Sequence, residues 1–552
     1  MEVASEESQC APAGTQTPRT GDAEGSGRAP LAPRWVLGVG VLVVAVGVVL
    51  RFVARSDLWL DEALSVNIAR LPIADLETAL RHDGAPPLYY ALLHSWIDVF
   101  GLSNLAVRSL SGVFSLATLP LAWFAGRRLG RAGPPGRVRN DSSRTRLVSA
   151  LVVLVFVCSP YMIRFATEAR MYSLVMFLVT AGYLALRRAL ERPSLGRLAL
   201  VAALVALMLY THYWTIYLLA VVGVGLLWCA FRGRTPESRH AARGVIVAFV
   251  AGAIAFIPWL DTFLDQSAHT GTPWGPAVMP WSAVRQAFDQ FGGGDNISHG
   301  EANLMVLLLF ALALLGLFGA AASRWHIDID IGTQPAVRRE AAVAAGALLV
   351  GVTATYLSGN GFAGRYAAIM YPLLALVVAY GFTVFSSRAV MACALALFVA
   401  VGLVGGIRAA RDLRTQAAEV AAVINADAKP GDVVVYCPDQ LGPAVSRVLG
   451  DRSDLVQMTF PRGDRPEFID WVDYLRTIRH TDAGAFVKAV LDRAGDHTVW
   501  YVVNPGYGGV KQKCEEISAA LDAARPGARE RVALDDKILF ELDNLTEYPA
   551  TP

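Results

Sequence analysis

From Trp35 to Ile407 the chain repeats long apolar runs of about 16–22 residues, separated by short polar stretches. A helix that crosses a bilayer needs roughly 20 apolar residues. The pattern predicts eleven spans, at about 35–53, 104–126, 147–163, 171–186, 198–213, 214–231, 244–260, 302–323, 341–357, 366–385 and 389–407. Their centres are nearly free of charge, and no convincing internal repeat relates them.

Two regions break the pattern. Residues 51–103 read as three helical segments too polar to span: "DEALSVNIARL", "IADLETALRHDG" and "PPLYYALLHSWIDVFG". Such segments suit amphipathic helices at the membrane interface. Pro86 and Pro87 separate the second from the third. Past Arg408 the period changes again. "AAEVAAVINADAKPGDVVVYCPD" reads as a helix, a Pro-Gly turn and a buried strand; "HTVWYVVN" and "KILFELDN" read as strands and "VKQKCEEISAALDAA" as a helix. This predicts a small α/β domain of about 130 residues. Cys437 and Cys514 both fall in it. An oxidising compartment would let them pair, but the sequence supplies no geometry, so a disulfide and two free thiols both stay open. "NPGYGG" (Asn504 to Gly509) reads as an ordinary loop after a strand, with phosphate cradling as the weaker alternative.

Composition supports a polytopic membrane protein: 54% of the 552 residues are hydrophobic and 17% charged, against about 25% charged in soluble domains. The net charge of +2 does not bear on nucleic acid. Residues 1–33 show no apolar period and are expected to be disordered. The first apolar run begins too late for a cleaved signal peptide and is read as an anchor. Loops 127–146, 187–197, 232–243, 324–340 and 386–388 carry nineteen arginines; the alternate set carries fewer over longer sequence. The positive-inside rule then puts the N-terminus in the cytoplasm and everything after Arg408 outside. The expected domains are a cytoplasmic tail (1–33), a membrane domain (34–407, with a first outer loop at 54–103) and an extracytoplasmic α/β domain (408–552).

The outer face collects polar residues from six places in the chain: Asp61, Glu62, His82, Asp83, Arg108, Glu168, Arg170, Tyr172, His212, Tyr213 and Arg365. Charges at a membrane boundary are costly unless they share a cavity or partners. Arginine offers permanently charged, bidentate donors to a phosphate leaving group. A carboxylate can take the proton of an attacking hydroxyl, a role worth roughly 10²–10⁴ in rate. Together they suit glycosyl transfer from a lipid-borne donor. No Gly-rich nucleotide signature lies at a strand-to-helix junction.

The stretch "LWLDEALSVNIARLPIADLETALRHDGAPPLYYALLHSWIDVFG…AVRSLSGVFSLATLPLAWFAGRRLG" resembles the first outer loop and second span of the GT-C superfamily. These are the polyprenyl-phosphate-sugar-dependent membrane glycosyltransferases, which include the protein O-mannosyltransferases and the lipid A aminoarabinose transferases. "SPYMIRFATEARMYSL" and "GRYAAIMYPLLALVVAYG" resemble two later family segments, and the likeness covers about residues 35–407. It implies a GT-C membrane fold, Asp61 as the catalytic base and Glu62 as its neighbour. Adjacent residues do not share a helix face, so Asp61 is expected to point at the acceptor while Glu62 orients a partner or the helix. The resemblance further implies Arg170 and Arg365 as donor-phosphate ligands, with Tyr172 and Tyr366 beside them and His212 on phosphate or a metal. Two positions depart from the family. Where some relatives carry an acid before Pro-Pro, this chain has Gly84 and Ala85; Asp83, with His82, is the candidate there for a divalent metal or the acceptor. Arg164 stands where a neutral residue is expected, either to add phosphate affinity or as an interface residue.

The implied reaction is inverting transfer of a sugar, mannose or arabinose, from a polyprenyl phosphate to an envelope glycan, lipid or protein. It would occur at the outer face of the cytoplasmic membrane, with no certain cofactor. A polyprenyl-lipid or small-molecule flippase is the alternative, although transporters keep charge near the bilayer midplane in broken, repeated helices. A non-catalytic scaffold that binds glycan through the C-terminal domain would leave the Asp61 loop without a purpose.

Overall fold

The computed structural model describes residues 34–132, 142–272, 275–294, 299–321, 323, 326–332, 336–463, 465–507 and 509–550. The expectation of disorder for residues 1–33 lies outside the described residues. The chain divides into two compact units, residues 1–42 and 43–552. Of the first, only the opening part of α1 (Arg34–Val49) is described.

Each predicted span contains a helix among the described residues. After α1 come α2 (Leu60–Ala69), α3 (Leu76–Asp83), α4 (Leu88–Phe100), α5 (Asn104–Arg131), α6 (Ser142–Val157), α7 (Pro160–Ala166) and α8 (Tyr172–Glu191). Next are α9 (Leu195–Leu209), α10 (Thr215–Arg232), α11 (Pro236–Ile254), α12 (Leu260–His269), α13 (Pro280–Phe291), α14 (Gly300–Phe318), α15 (Arg338–Leu357), α16 (Tyr371–Gly381) and α17 (Arg388–Arg411). Among the described residues, eight stretches are long and apolar enough to cross a membrane, the bent pair α6–α7 makes a ninth, and α9 and the Tyr371–Val384 stretch are shorter apolar helices. The three polar segments of the first loop are α2, α3 and α4. Helices α12 and α13 occupy a stretch for which no helix was predicted. The run predicted to end at 323 stops at Phe318, and residues 319–321 pair with 327–329 as a short antiparallel hairpin.

The break between α6 and α7 has a visible cause. Ser159 caps α7 by accepting from the Met162 amide at 3.1 Å, and Pro160 opens that helix. The two axes diverge by 55°. This strands the last carbonyls of α6 in an apolar setting, where unpaired backbone groups are costly. Fully buried Arg51 takes them up, donating to Phe156 O at 2.7 Å and Val157 O at 3.0 Å, with Ser115 Oγ at 3.0 Å. Gly402 lets α17 pass against the break, because a Cβ there would collide with the Cys158 carbonyl.

The C-terminal part is a five-stranded mixed sheet: β1 (Val433–Cys437), β2 (Val456–Thr459), β3 (Val499–Val503), β4 (Arg529–Val532) and β5 (Asn544–Tyr548), in spatial order β2-β1-β3-β5-β4. Strands β1, β2 and β3 are parallel; β5 runs antiparallel to β3 and β4. Side chains alternate across it. Val434, Tyr436, Trp500 and Val502 pack with α18 (Ala417–Asp427) and α19 (Gly442–Leu449). Val433, Val435, Val499 and Tyr501 face α21 (Ala483–Ala494) and α22 (Lys511–Ala524) on the other side. The short α20 (Tyr474–His480) precedes α21. Cys437 and Cys514 form a disulfide that ties the end of β1 to α22.

The reading of "KILFELDN" as a strand is corrected. Its backbone from Leu539 to Glu541 pairs with residues 413–416 after α17, and the strand of the sheet begins only at Asn544. The apolar residues that suggested a strand serve packing instead: Ile538 and Leu539 are buried, and Phe540 stacks on Trp59 at 4.7 Å.

Candidate active site

Helix α2 starts where residues 539–541 meet the loop between α1 and α5. Its first amide, at Leu60, donates to Glu541 Oε2 at 3.1 Å. This meets one of the unpaired amides that every helix N-terminus presents. One position further, successive side chains diverge by about 100° around the helix, and Asp61 and Glu62 enter different surroundings.

Glu62 is wholly buried. Arg108 of α5 binds it at 2.7 and 2.6 Å, the Ala169 amide donates at 2.9 Å, and Arg414 lies 3.4 Å away. Burial opposes its ionisation, but Arg108, then Arg414 and the amide, outweigh burial and hold the carboxyl at about 2. Glu62 thus joins α2, α5, the turn before α8 and the segment after α17. It does not line the cavity. Arg164 is similarly occupied, pairing with Glu168 one turn on, and also lies off the cavity.

Asp61 opens on a cavity of about 980 Å³. Its Oδ2 stands 3.5 Å from Arg365, which comes from the short 3₁₀ turn Gly364–Ile369 before α16. Arg170 lies beside them. It donates to Ser65 Oγ at 2.9 Å and to the Tyr90 hydroxyl at 3.1 Å, and Tyr90 donates to Asp83 at 2.6 Å. Burial raises the Asp83 carboxyl, against the opposing pull of Arg170. Gly84 ends α3 with φ +83°, a left-handed conformation that suits glycine. It leaves Asp83, the last residue of α3, on the cavity wall.

Tyr172, His212, Tyr213 and Tyr366 complete this wall. His212 sits in the turn between α9 and α10, where its Nδ1 accepts the Trp214 amide at 3.1 Å. That bond assigns the proton to Nε2. A ring that accepts at Nδ1 is the neutral imidazole, since both nitrogens of the charged form are donors. Tyr172 and Tyr366 flank it, each 5.8 Å from the imidazole.

Of the residues predicted from sequence, Asp61, Asp83, Arg170, Tyr172, His212, Arg365 and Tyr366 line one cavity. Glu62 and His82 do not. The His82 ring faces Asp470 at 2.8 Å, half-exposed on the outside of α3. Among the described residues, no three His, Cys, Asp or Glu side chains converge as a metal site. A second, smaller hollow of about 510 Å³ lies between α2 and α19 and holds none of the predicted residues.

Other parts of the wall went unread in the sequence. Gln286, Asp289 and Gln290 come from α13, whose apolar residues at Ala283, Ala287 and Phe291 follow a four-residue period that could have revealed the helix. Gln440, Trp471, Tyr507 and Phe540 reach in from the C-terminal part. No local signal marks Gln440, Trp471 or Phe540; Tyr507 lies in the "NPGYGG" loop, read from the sequence as an ordinary turn with phosphate cradling as the weaker alternative.

Against known proteins, no family model and no curated protein sequence matches the chain. Solved structures do. ArnT from Cupriavidus metallidurans in the apo state aligns over 94% of this chain and all of its own, with TM-score 0.58 and 13% identity. The same protein bound to undecaprenyl phosphate aligns over 95% and 100%, with TM-score 0.54 and 12% identity. The arabinofuranosyltransferase AftD from Mycobacteria aligns over 95% of this chain and 42% of its own, with TM-score 0.47 and 15% identity. At such identities the likeness is one of architecture: a multi-pass helical membrane protein with a C-terminal mixed sheet, built on the GT-C fold of ArnT.

Proposed function

We propose that the chain is an inverting glycosyltransferase that takes its sugar from a polyprenyl phosphate. The observation that carries this reading is the meeting of Asp61, Arg170 and Arg365 in one cavity. The neighbour in fold, ArnT, is a protein whose structure holds undecaprenyl phosphate, which supports a lipid phosphate as the ligand here.

The acceptor hydroxyl attacks the anomeric carbon, the bond from that carbon to the phosphate oxygen breaks, and polyprenyl phosphate leaves with the electron pair. Asp61 takes the hydroxyl proton. Arg170 and Arg365 meet the charge that grows on the phosphate, where charge-assisted bonds are strongest. Arg365 moves from Asp61 toward the phosphate as the donor binds, which leaves the carboxylate to the acceptor. Tyr172, Tyr366 and the neutral His212 supply hydrogen bonds without adding charge. Glu62 acts through the helix it anchors. Mannose and arabinose are the sugars this reading favours, and an envelope glycan, lipid or protein is the acceptor.

The same reading puts residues 1–33 in the cytoplasm, the membrane domain at 34–407 and residues 408–552 outside the cytoplasmic membrane. Reporter fusions at residues 235 and 550 test that topology: a periplasmic signal at the first or a cytoplasmic one at the second overturns it. The chemistry is tested by Asp61→Asn in purified protein. Transfer from a polyprenyl-phosphate sugar should fall by at least about 10²-fold while undecaprenyl phosphate still binds. Undiminished transfer contradicts the assignment.

A further inference from the structure

The C-terminal sheet carries a feature with no part in donor binding. Strand β1 lies between β2 and β3, all three parallel. The chain leaves β1 toward β2 through α19 on one face, and reaches β3 through α20 and α21 on the other. The winding direction therefore reverses at β1/β3. In open parallel sheets, ligands bind outside the carboxyl ends of the strands at such a reversal.

Those carboxyl ends meet the Asp61 cavity. Gln440 follows β1, Tyr507 follows β3 and Trp471 follows β2; all three line it. The two loops at the reversal are held at their roots. The Cys437–Cys514 disulfide joins the last residue of β1 to the first turn of α22, and the Asn504 amide donates to Cys437 O at 3.3 Å.

The side chains on this edge are of one chemical kind. Gln440 is 2% exposed, and its Oε1 accepts no hydrogen bond. A buried amide oxygen without a donor is costly to keep, and a ligand hydroxyl would relieve it. Trp471 and Tyr507 are only partly buried and bring aromatic rings to the cavity lining. Everything the C-terminal part contributes to the lining, with Phe540, is uncharged. The charged groups of the lining, Asp61, Asp83, Arg170, Asp289 and Arg365, all come from the part of the chain before residue 408. An anionic headgroup or acidic peptide gains nothing from this edge. A sugar ring fits it, with apolar faces for the aromatics and hydroxyls for the amide.

Resting on the glycosyltransferase reading, we infer that the carboxyl edge of the C-terminal sheet is the acceptor subsite and that it takes a neutral saccharide. The acceptor is then a glycan hydroxyl, whether the glycan is free or carried on a lipid. It is held by Gln440, Trp471 and Tyr507 in the cavity that Asp61, Arg170 and Arg365 also line.

The test is saturation-transfer NMR on the full chain in lipid nanodiscs, with neutral trisaccharides of mannose, arabinofuranose, glucose and galactose. Undecaprenyl phosphate binding is measured separately, so failure of that arm alone indicts the donor reading. At least one trisaccharide should bind without lipid. Its affinity should fall about tenfold in Gln440→Ala and in Trp471→Ala, recover in Trp471→Phe, and stay unchanged in Arg365→Ala. Undecaprenyl phosphate affinity in the Gln440 and Trp471 variants should match the parent, which also shows that they fold. Binding of no trisaccharide, or binding that survives both variants, overturns the inference. So does loss of undecaprenyl phosphate binding together with saccharide binding in both variants.

Discussion

The carboxylate of Glu62 is closed in with Arg108 at 2.6 Å, while that of Asp61, one residue earlier, opens on the cavity 3.5 Å from Arg365. The two acids divide the work. One fixes the helix, and the other is presented by it. Removing one member of a buried ion pair costs about 3–5 kcal/mol, because the remaining charge is stranded. Glu62→Gln removes the buried counter-charge of both Arg108 and Arg414, which keep only neutral acceptors, whereas the Asp61 carboxylate is partly solvated. Thermal unfolding in detergent should show Glu62→Gln strongly destabilised and Asp61→Asn within about 1 kcal/mol of the parent. Equal effects would mean that the two residues share a role.

Glu541 extends this argument across the chain. Its carboxylate accepts the first amide of α2, 481 residues away in sequence. Loss of a helix N-terminal acceptor costs about 1 kcal/mol. Glu541→Ala should therefore loosen α2 and lower kcat for transfer more than it changes undecaprenyl phosphate affinity. Faster amide exchange at residues 60–63 is the accompanying sign. Unchanged exchange there would remove Glu541 from the account.

Asp439 sets a pH dependence in the C-terminal part. Burial pushes its carboxyl up to about 7, against the hydrogen bond from Tyr474. A folded pKa above the unfolded one favours the protonated form on folding. The contribution is thus complete below pH about 4 and lost as pH rises through about 7, a swing of about 4 kcal/mol at most. Glu541 and Asp543 are shifted in the same direction by burial, with the Asp543 charge adding to the rise at Glu541. Melting temperatures between pH 4 and 8 should fall with pH in the parent and fall less steeply in Asp439→Asn. A parallel decline in both proteins would remove Asp439 from the explanation.

The disulfide closes a separation of 77 residues. A loop of that size typically adds about 2–4 kcal/mol by restricting the unfolded chain. Cys514→Ser should lower the melting temperature, and reducing agent should lower that of the parent but not of the variant. Insensitivity of the parent to reductant would contradict this.

What could be read from the sequence follows from range. The apolar runs were legible because a bilayer imposes a length on each helix, and polar segments such as "DEALSVNIARL" stood out against them. The convergence of Asp61, Arg170 and Arg365 came from their places at helix ends predicted to share one membrane face and from a family likeness. Contacts between distant segments were not legible. Nothing near Glu541 announces that it caps α2, and nothing near Gln440 or Trp471 points to a cavity shared with α8. Nothing in the sequence marks Arg51, whose role appears only where the broken span leaves carbonyls for it to bind. "KILFELDN" misled because its apolar residues pack on Trp59 and its neighbours rather than fill a strand.

The central claim is that one carboxylate removes the acceptor proton while two guanidiniums hold the donor phosphate. The most direct measurement pairs undecaprenyl phosphate affinity with single-turnover transfer in Asp61→Asn, Arg170→Ala and Arg365→Ala. The account predicts intact affinity with lost transfer for the first, and weakened affinity for the other two. Transfer at the parent rate in Asp61→Asn, or parent affinity in both arginine variants, would contradict it.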